Sequence, residues 1–328
     1  LLIRHKGQEI NTKHYTGQLD YDKINTIRNG YYVNDKDKAL EQLRKILLDH
    51  KSKNNEIYNY YFEKVANDTK LGSDKWSIND ALESDELIQM MLSKTEQNSK
   101  IFTNDNLVKN FKTAIRLGGK GYFRKPTQFP IKVMRQLLDE FTEPGDTYYD
   151  PCCGWGMRML VSAEKGLKYI GNDINPKLIA KLNEFGQDIN SIKDFKYAIL
   201  PQGSEIYLPQ LENKVDFIFT SPPYFNLELY NGSENLKDMN YQDWLYNFIK
   251  PMLENCYKYI KDNKYVAINI KNSKDYLLYD DTRDIGEKIG FKFIGERNLK
   301  QANRTTFHKE RTHGDSSEKI MVFQKVAK

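Results

Sequence analysis

The chain has 328 residues, enough for one large domain or two modest ones with a sizeable core, and its 39% hydrophobic and 29% charged content is ordinary for a soluble protein. Fifty Lys and Arg against 45 Asp and Glu leave a net charge of +5, which permits a polyanionic partner without demanding one. No apolar run approaches the roughly 20 residues that span a bilayer, and Cys152, Cys153 and Cys256 offer neither a disulfide framework nor the spacing of a zinc site. That cysteine usage fits a reducing, cytoplasmic-type compartment. No signal peptide is visible, but the chain opens on Leu1-Leu2 rather than Met, as an excised or processed fragment would, so a targeting segment upstream stays open.

Apolar residues recur at helical spacing in KALEQLRKILLDHK (Leu40, Leu43, Ile46, Leu47) and in IYNYYFEKV (Tyr58, Tyr61, Phe62, Val65). A third helix is predicted over SINDALESDELIQMMLSK, with Ser77 or Asn79 as its N-cap and Leu87, Ile88, Met91 and Leu92 on its apolar face. No proline precedes Pro126. Residues 1–105 therefore read as a mainly helical accessory region, distinct in composition from residues 106–328.

In the second region helices and strands alternate. The helix IKVMRQLLDEF leads to the strand TYYD, then MRMLVSAEKG (helix), KYIGND (strand), PKLIAKLNEFGQDI (helix) and KYAIL (strand). VDFIFT (strand), YQDWLYNFIKPMLENCYKYI (helix), KYVAINI (strand), TRDIGEKIG (helix) and FKFIGERN (strand) follow, with a last strand near KIMVFQK. This alternation predicts an α/β fold with a doubly wound, mostly parallel sheet. The two late strands, with no helix between them, predict an antiparallel pair at one edge. Such sheets bind ligands beyond the carboxyl ends of their strands, so the informative residues belong there.

DPCCGWGMRML follows the first of these strands and opens a helix. Gly154 and Gly156 allow a tight turn and close approach of a ligand to free helix-start amides. The dinucleotide fingerprint fails, because Met159 stands where its third glycine would be. The next strand ends at Asp173 in YIGNDINP, placed to accept hydrogen bonds from ribose hydroxyls, while Asn175-Pro176 reads as a helix cap. The buried strand VDFIFT is stopped by Ser221-Pro222-Pro223-Tyr224, since two prolines cannot continue inside a sheet.

DPCCGWGMRML, YIGNDINP and TSPPY resemble motifs I, II and IV of the S-adenosylmethionine-dependent amino-methyltransferases that modify DNA bases, and GYFRKPTQFPIKVMRQLLDEFTEPGDTYYDP resembles their motif X region. The resemblance covers roughly residues 110–325. It implies a seven-stranded sheet of the class I methyltransferase type, S-adenosyl-L-methionine as cofactor, no metal, and double-stranded DNA as partner with the target base flipped out. It also implies cofactor contacts at Phe123, Lys125 and Thr127 (the methionine end), at Asp150, Cys152, Gly154, Trp155 and Gly156, at Asp173 and Ile174, and at Ser204. Trp155 either lies over the cofactor or packs beside it. Cys152-Cys153 and Trp155 replace the family's commoner Phe and Ser, and PQGSEI offers Gln202, Ser204 and Glu205 where the family usually shows an acid near the adenine.

Methyl transfer to an exocyclic amine needs no protein nucleophile, only a positioned lone pair. The Ser221 oxygen and the Pro222 carbonyl can accept the two amine hydrogens, Pro223 stiffens the turn, and Tyr224 offers a ring to a flipped base. Phe225 is expected to anchor the loop. A C5-methylating enzyme would need a cysteine after a proline at this strand end, and position 224 is tyrosine. Cytosine N4 and adenine N6 both remain as targets, Ser221 leaning to cytosine. An RNA base methyltransferase, or an inactive nucleic-acid-binding relative, is the alternative. Loops 226–241 and 300–317, the latter with Lys300, Arg304, His308, Lys309, Arg311 and His313, are candidates to face DNA. The helical region is the remaining candidate for target recognition or for homodimer formation.

Overall fold

The computed structural model describes residues 2–5, 8–11, 18–32, 34–70, 76–96, 106–118, 127–225, 239–273, 275–298 and 319–327. The chain divides into two compact units: residues 1–39, 55–127 and 226–231 form one, and residues 40–54, 128–225 and 232–328 the other.

The first unit begins with an antiparallel hairpin of β1 (Leu2–His5) and β2 (Gln8–Asn11), Leu2 opposite Asn11. Helix α1 (Tyr21–Gly30) is capped by Asp20, whose carboxylate accepts the Lys23 amide. Helix α2 (Lys36–Asp49) carries the predicted period and runs on into the second unit. Residues 55–66 form α3, which widens into a π turn at Tyr58–Phe62, where the Glu63 amide reaches back to the Tyr58 carbonyl. The single helix expected over residues 77–94 is two. Ser77 caps α4 (Ile78–Glu83) in a reciprocal box with Asp80. Ser84 then turns extended, and its hydroxyl accepts the Leu87 amide at 3.3 Å to start α5 (Asp85–Glu96). A serine that can cap competes with helix continuation, and here it wins. Helices α1, α4, α5 and α6 (Leu107–Gly118) share a core that includes Ile24, Ile27, Tyr31, Trp76, Ile88 and Phe111.

The second unit is the predicted α/β layer structure. Its seven strands are β3 (Thr147–Asp150), β4 (Lys168–Asn172), β5 (Tyr197–Leu200), β6 (Val215–Thr220), β7 (Ile260–Ile270), β8 (Lys292–Asn298) and β9 (Lys319–Gln324). They lie in the order β5-β4-β3-β6-β7-β9-β8, parallel except for β9, which inserts antiparallel between β7 and β8. The expected antiparallel pair is thus at the edge. The order reverses between β3 and β6, and that switch point is where the sheet opens a crevice for a ligand. All six residues of β6 are buried, Asp216 and Thr220 among them, as befits a central parallel strand.

Helices α7 (Ile131–Phe141), α8 (Met157–Lys165), α9 (Pro176–Asn190) and α11 (Leu278–Ile289) match the predicted segments, as does α10 (residues 241–259). Within α10 the turn Leu245–Ile249 is a π turn ending just before Pro251, which has no amide to give to the preceding turn. The end of α2 belongs to this unit: Leu43, Ile46 and Leu47 are buried, His50 Nδ1 lies 2.6 Å from Glu164 Oε1, and Arg135 bonds Glu164, Ser52 and the Lys51 carbonyl. Among the described residues no helix is long and apolar enough to cross a membrane.

Candidate active site

Asp150 ends β3 fully buried. Its Oδ2 accepts Arg158 Nε at 2.7 Å and the Tyr169 hydroxyl at 3.1 Å, while its Oδ1 is buried with no partner. Burial is the largest single influence and would lower the Arg158 pKa, but the Asp150 charge and hydrogen bond, together with Tyr148 and Tyr169, outweigh it and hold the guanidinium above its ordinary value. Arg158 also donates to the Cys152 carbonyl and lies 5.9 and 5.8 Å from the ring centres of Phe129 and Phe219. A cation in the first turn of α8 thus braces the loop that precedes it.

That loop is fastened on both sides. The Cys152 amide donates to Thr220 Oγ1 at 3.0 Å, at the end of β6, and the Cys153 amide to the Asn172 carbonyl at 2.9 Å, at the end of β4. Gly154 and Gly156 hold φ of +56° and +72°, a left-handed conformation that glycine enters without steric cost, and Gly156 is the N-cap of α8. The Gly-x-Gly turn is therefore a conformational necessity as well as a place of close approach. Trp155 between them is 9% exposed, so it is packed rather than free to swing.

Asp173 follows β4. Its Oδ1 accepts the Asn175 amide at 2.8 Å, and its own amide bonds the Leu200 carbonyl. Burial pushes its carboxyl up to about 6, against the lowering pull of the Asn175 amide, with Asp150 raising it further and the Ile174 and Gly154 amides lowering it. Asn175 caps α9 through the amides of Lys177 and Leu178, with Pro176 in the first turn. Asn172, just before, is fully buried and both ends of its amide lack a partner. Beyond β5, Gln202 Nε2 is buried without a partner, and buried Ser204 has its hydroxyl 3.8 Å from the Cys152 sulfur.

Ser221, Pro222, Pro223 and Tyr224 continue directly from β6. Tyr224 is 8% exposed, with its hydroxyl 3.4 Å from the Asn269 carbonyl on β7, and Asn269 Nδ2 donates to Ser221 Oγ at 3.2 Å. Phe225 is buried against Tyr241, Trp244 and Tyr276, with ring centres 5.3, 6.0 and 4.9 Å away, the anchoring place expected of it. Cys152 is a poor nucleophile: burial drives its thiol up to about 12, so it stays protonated at neutral pH.

The glycine loop, Asp173, Ile174, Ser204 and the Ser-Pro-Pro-Tyr turn therefore follow the ends of the neighbouring strands β3, β4, β5 and β6, with Cys152 bonded to Thr220 and 3.8 Å from Ser204. Thr127 is exposed, and Phe123, Lys125, loop 226–238 and segment 300–317 lie outside the described residues. Arg158, Asn172, Thr220 and Asn269 were not singled out from the sequence. Asn269 had a signal, as the lone polar residue in the run 266–270. The partnerless polar atoms of Asp150, Asn172 and Gln202 sit at these strand ends, and such groups call for a polar ligand. A nucleoside joined to an amino acid, with its amine, hydroxyls and ring nitrogens, has the matching chemistry.

A family model described as DNA methylase matches residues 9–184 and 215–328, leaving out residues 1–8 and the stretch 185–214 that carries β5 and Ser204. No curated protein sequence matches the chain. Among solved structures, a methyltransferase from Pyrococcus furiosus is similar at 15% identity and a TM-score of 0.42, covering 66% of this chain and 94% of that one. Magnesium protoporphyrin IX methyltransferase from Synechocystis, with bound SAM, is similar at 16% identity and 0.40, covering 59% and 76%. A TehB-like SAM-dependent methyltransferase from Corynebacterium glutamicum is similar at 15% and 0.40, covering 58% and 86%.

Proposed function

Because the chain belongs to the DNA methylase family, we propose that it methylates the exocyclic amine of a base flipped out of duplex DNA, N4 of cytosine or N6 of adenine. The cofactor is S-adenosyl-L-methionine, which supplies an electrophilic methyl on a sulfonium and leaves as a neutral thioether. The observation that carries the reading is the junction of the two loops: Cys152 of the glycine loop is hydrogen-bonded to Thr220, the residue before Ser221. Cofactor and acceptor sites are thereby fixed to adjacent strands, as an in-line displacement requires.

Asp173 would accept the ribose hydroxyls, and Asp150, whose Oδ1 has no partner in the chain, would contribute a carboxylate for the cationic amine of the methionine end. Gly154 and Gly156 let the backbone close on the cofactor, with Trp155, Cys152, Ile174 and Ser204 lining it. Ser221 Oγ and the Pro222 carbonyl accept the two hydrogens of the target amine, which turns its lone pair out of conjugation and towards the methyl carbon. Positive charge developing on that nitrogen during transfer would be held by both acceptors more tightly than the ground state is. One amine proton then leaves to water. Tyr224 receives the base on its ring, and Pro223 keeps the carbonyl direction rigid. The helical unit, matched by the family model from residue 9, is the part we assign to target recognition. The test offers labelled cofactor to equal masses of unmethylated duplex DNA and RNA. Label in DNA is the expected result, and label in RNA alone would overturn the substrate class.

A further inference from the structure

Asn269 is the only polar side chain in the last five residues of β7, and it is 3% exposed. An amide on an interior strand loses water and gains no apolar packing, so its presence calls for a polar task. Register supplies one. Thr220 of β6 is opposite Ile268 of β7, so the next rung sets Ser221 beside Asn269 on the same face. Asn269 Nδ2 donates to Ser221 Oγ at 3.2 Å, and the carbonyl of the same residue accepts the Tyr224 hydroxyl at 3.4 Å. One residue of the neighbouring strand thus touches both outer members of the Ser-Pro-Pro-Tyr turn.

We propose that Asn269 is a positioning residue for methyl transfer, acting through Ser221. A serine hydroxyl has one hydrogen and two lone pairs and rotates freely when alone. With one lone pair taken by the Asn269 amide, the second acquires a fixed direction, and that is the one left to accept the target amine. The carbonyl contact at Tyr224 keeps the ring wall in register with the same acceptor. The inference rests on Ser221 being the amine acceptor, as proposed above.

The test uses the full chain, labelled S-adenosylmethionine and unmethylated genomic DNA copied in vitro, with N269A, N269D, S221A and the double variant S221A/N269A. N269D is nearly isosteric but has no amide hydrogen to donate, so it carries the test if N269A does not fold. Both single variants at position 269 are expected to lose about 10–100-fold in kcat, the range seen when a partner that orients a reacting group is removed, with KM for cofactor and DNA unchanged. The double variant is expected to be no slower than S221A alone, because residues that act as one unit are non-additive. A purely structural asparagine would make the two losses multiply, and that result, or kcat within threefold of the parent for N269D, overturns the inference. Parental turnover by S221A would instead remove the acceptor role from Ser221 itself, a failure of the functional reading that is separable from one at Asn269.

Discussion

Ser221 and Tyr224 are expected to matter for turnover and not for cofactor binding, because the proposed mechanism has both act on the incoming base. Replacing either by alanine should cost about 100-fold or more in kcat, the scale for losing one aligned partner of a developing charge, while calorimetry finds the cofactor affinity unchanged. Asp173 should behave the opposite way. Burial raises its pKa to about 6, so it is neutral below that pH, and the proposed acceptance of two ribose hydroxyls needs the charged form that prevails above it. Cofactor affinity should therefore fall as pH drops through about 6, level off near neutrality, and lose this dependence in Asp173→Asn, as titration calorimetry from pH 5 to 8 will read. Binding near pH 6 should also release a proton, because hydrogen bonds from the ligand favour the charged form. The acid and the two glycines were legible in the sequence, since spacing and backbone demands write them locally. Arg158, Asn172 and Asn269 were not, because each takes its meaning from a neighbouring strand or loop.

At the scale of elements, the glycine loop depends on the helix that follows it. Arg158 on α8 and Asp150 on β3 form a buried pair, 7% and 0% exposed, and removing one partner strands the other charge. Arg158→Met should cost about 3–5 kcal/mol in urea unfolding, a loss that an exposed pair such as Lys45 with Glu41 would not show. Element type was readable from period and caps through residues 131–324; upstream, the β1–β2 hairpin, α1 and α6 were not read. Two further details escaped. Ser84 splits a helix whose apolar period runs straight through it, because capping is decided by a single hydroxyl. The insertion of β9 between β7 and β8 leaves no local mark, since β9 pairs with residues from 265 to 270 and from 292 to 298.

For the whole molecule, compositional change at the first proline marked two regions, but compactness follows contacts. Residues 40–54 lie with the sheet, where Leu43, Ile46 and Leu47 are buried and Ser52 and Lys51 hold Arg135. A fragment of residues 106–328 should accordingly be insoluble or lose its cooperative melt by circular dichroism, whereas the full chain melts cooperatively. The family match from residue 9 also extends well upstream of the motifs that first carried the resemblance. The most direct test of the central claim is the chemical identity of the product. Unmethylated DNA treated with the protein and S-adenosylmethionine is digested to nucleosides and analysed by mass spectrometry. The account predicts N4-methylcytosine or N6-methyladenine as the new nucleoside, absent with S221A. 5-Methylcytosine, or no methylated nucleoside from a preparation that binds the cofactor, would contradict it.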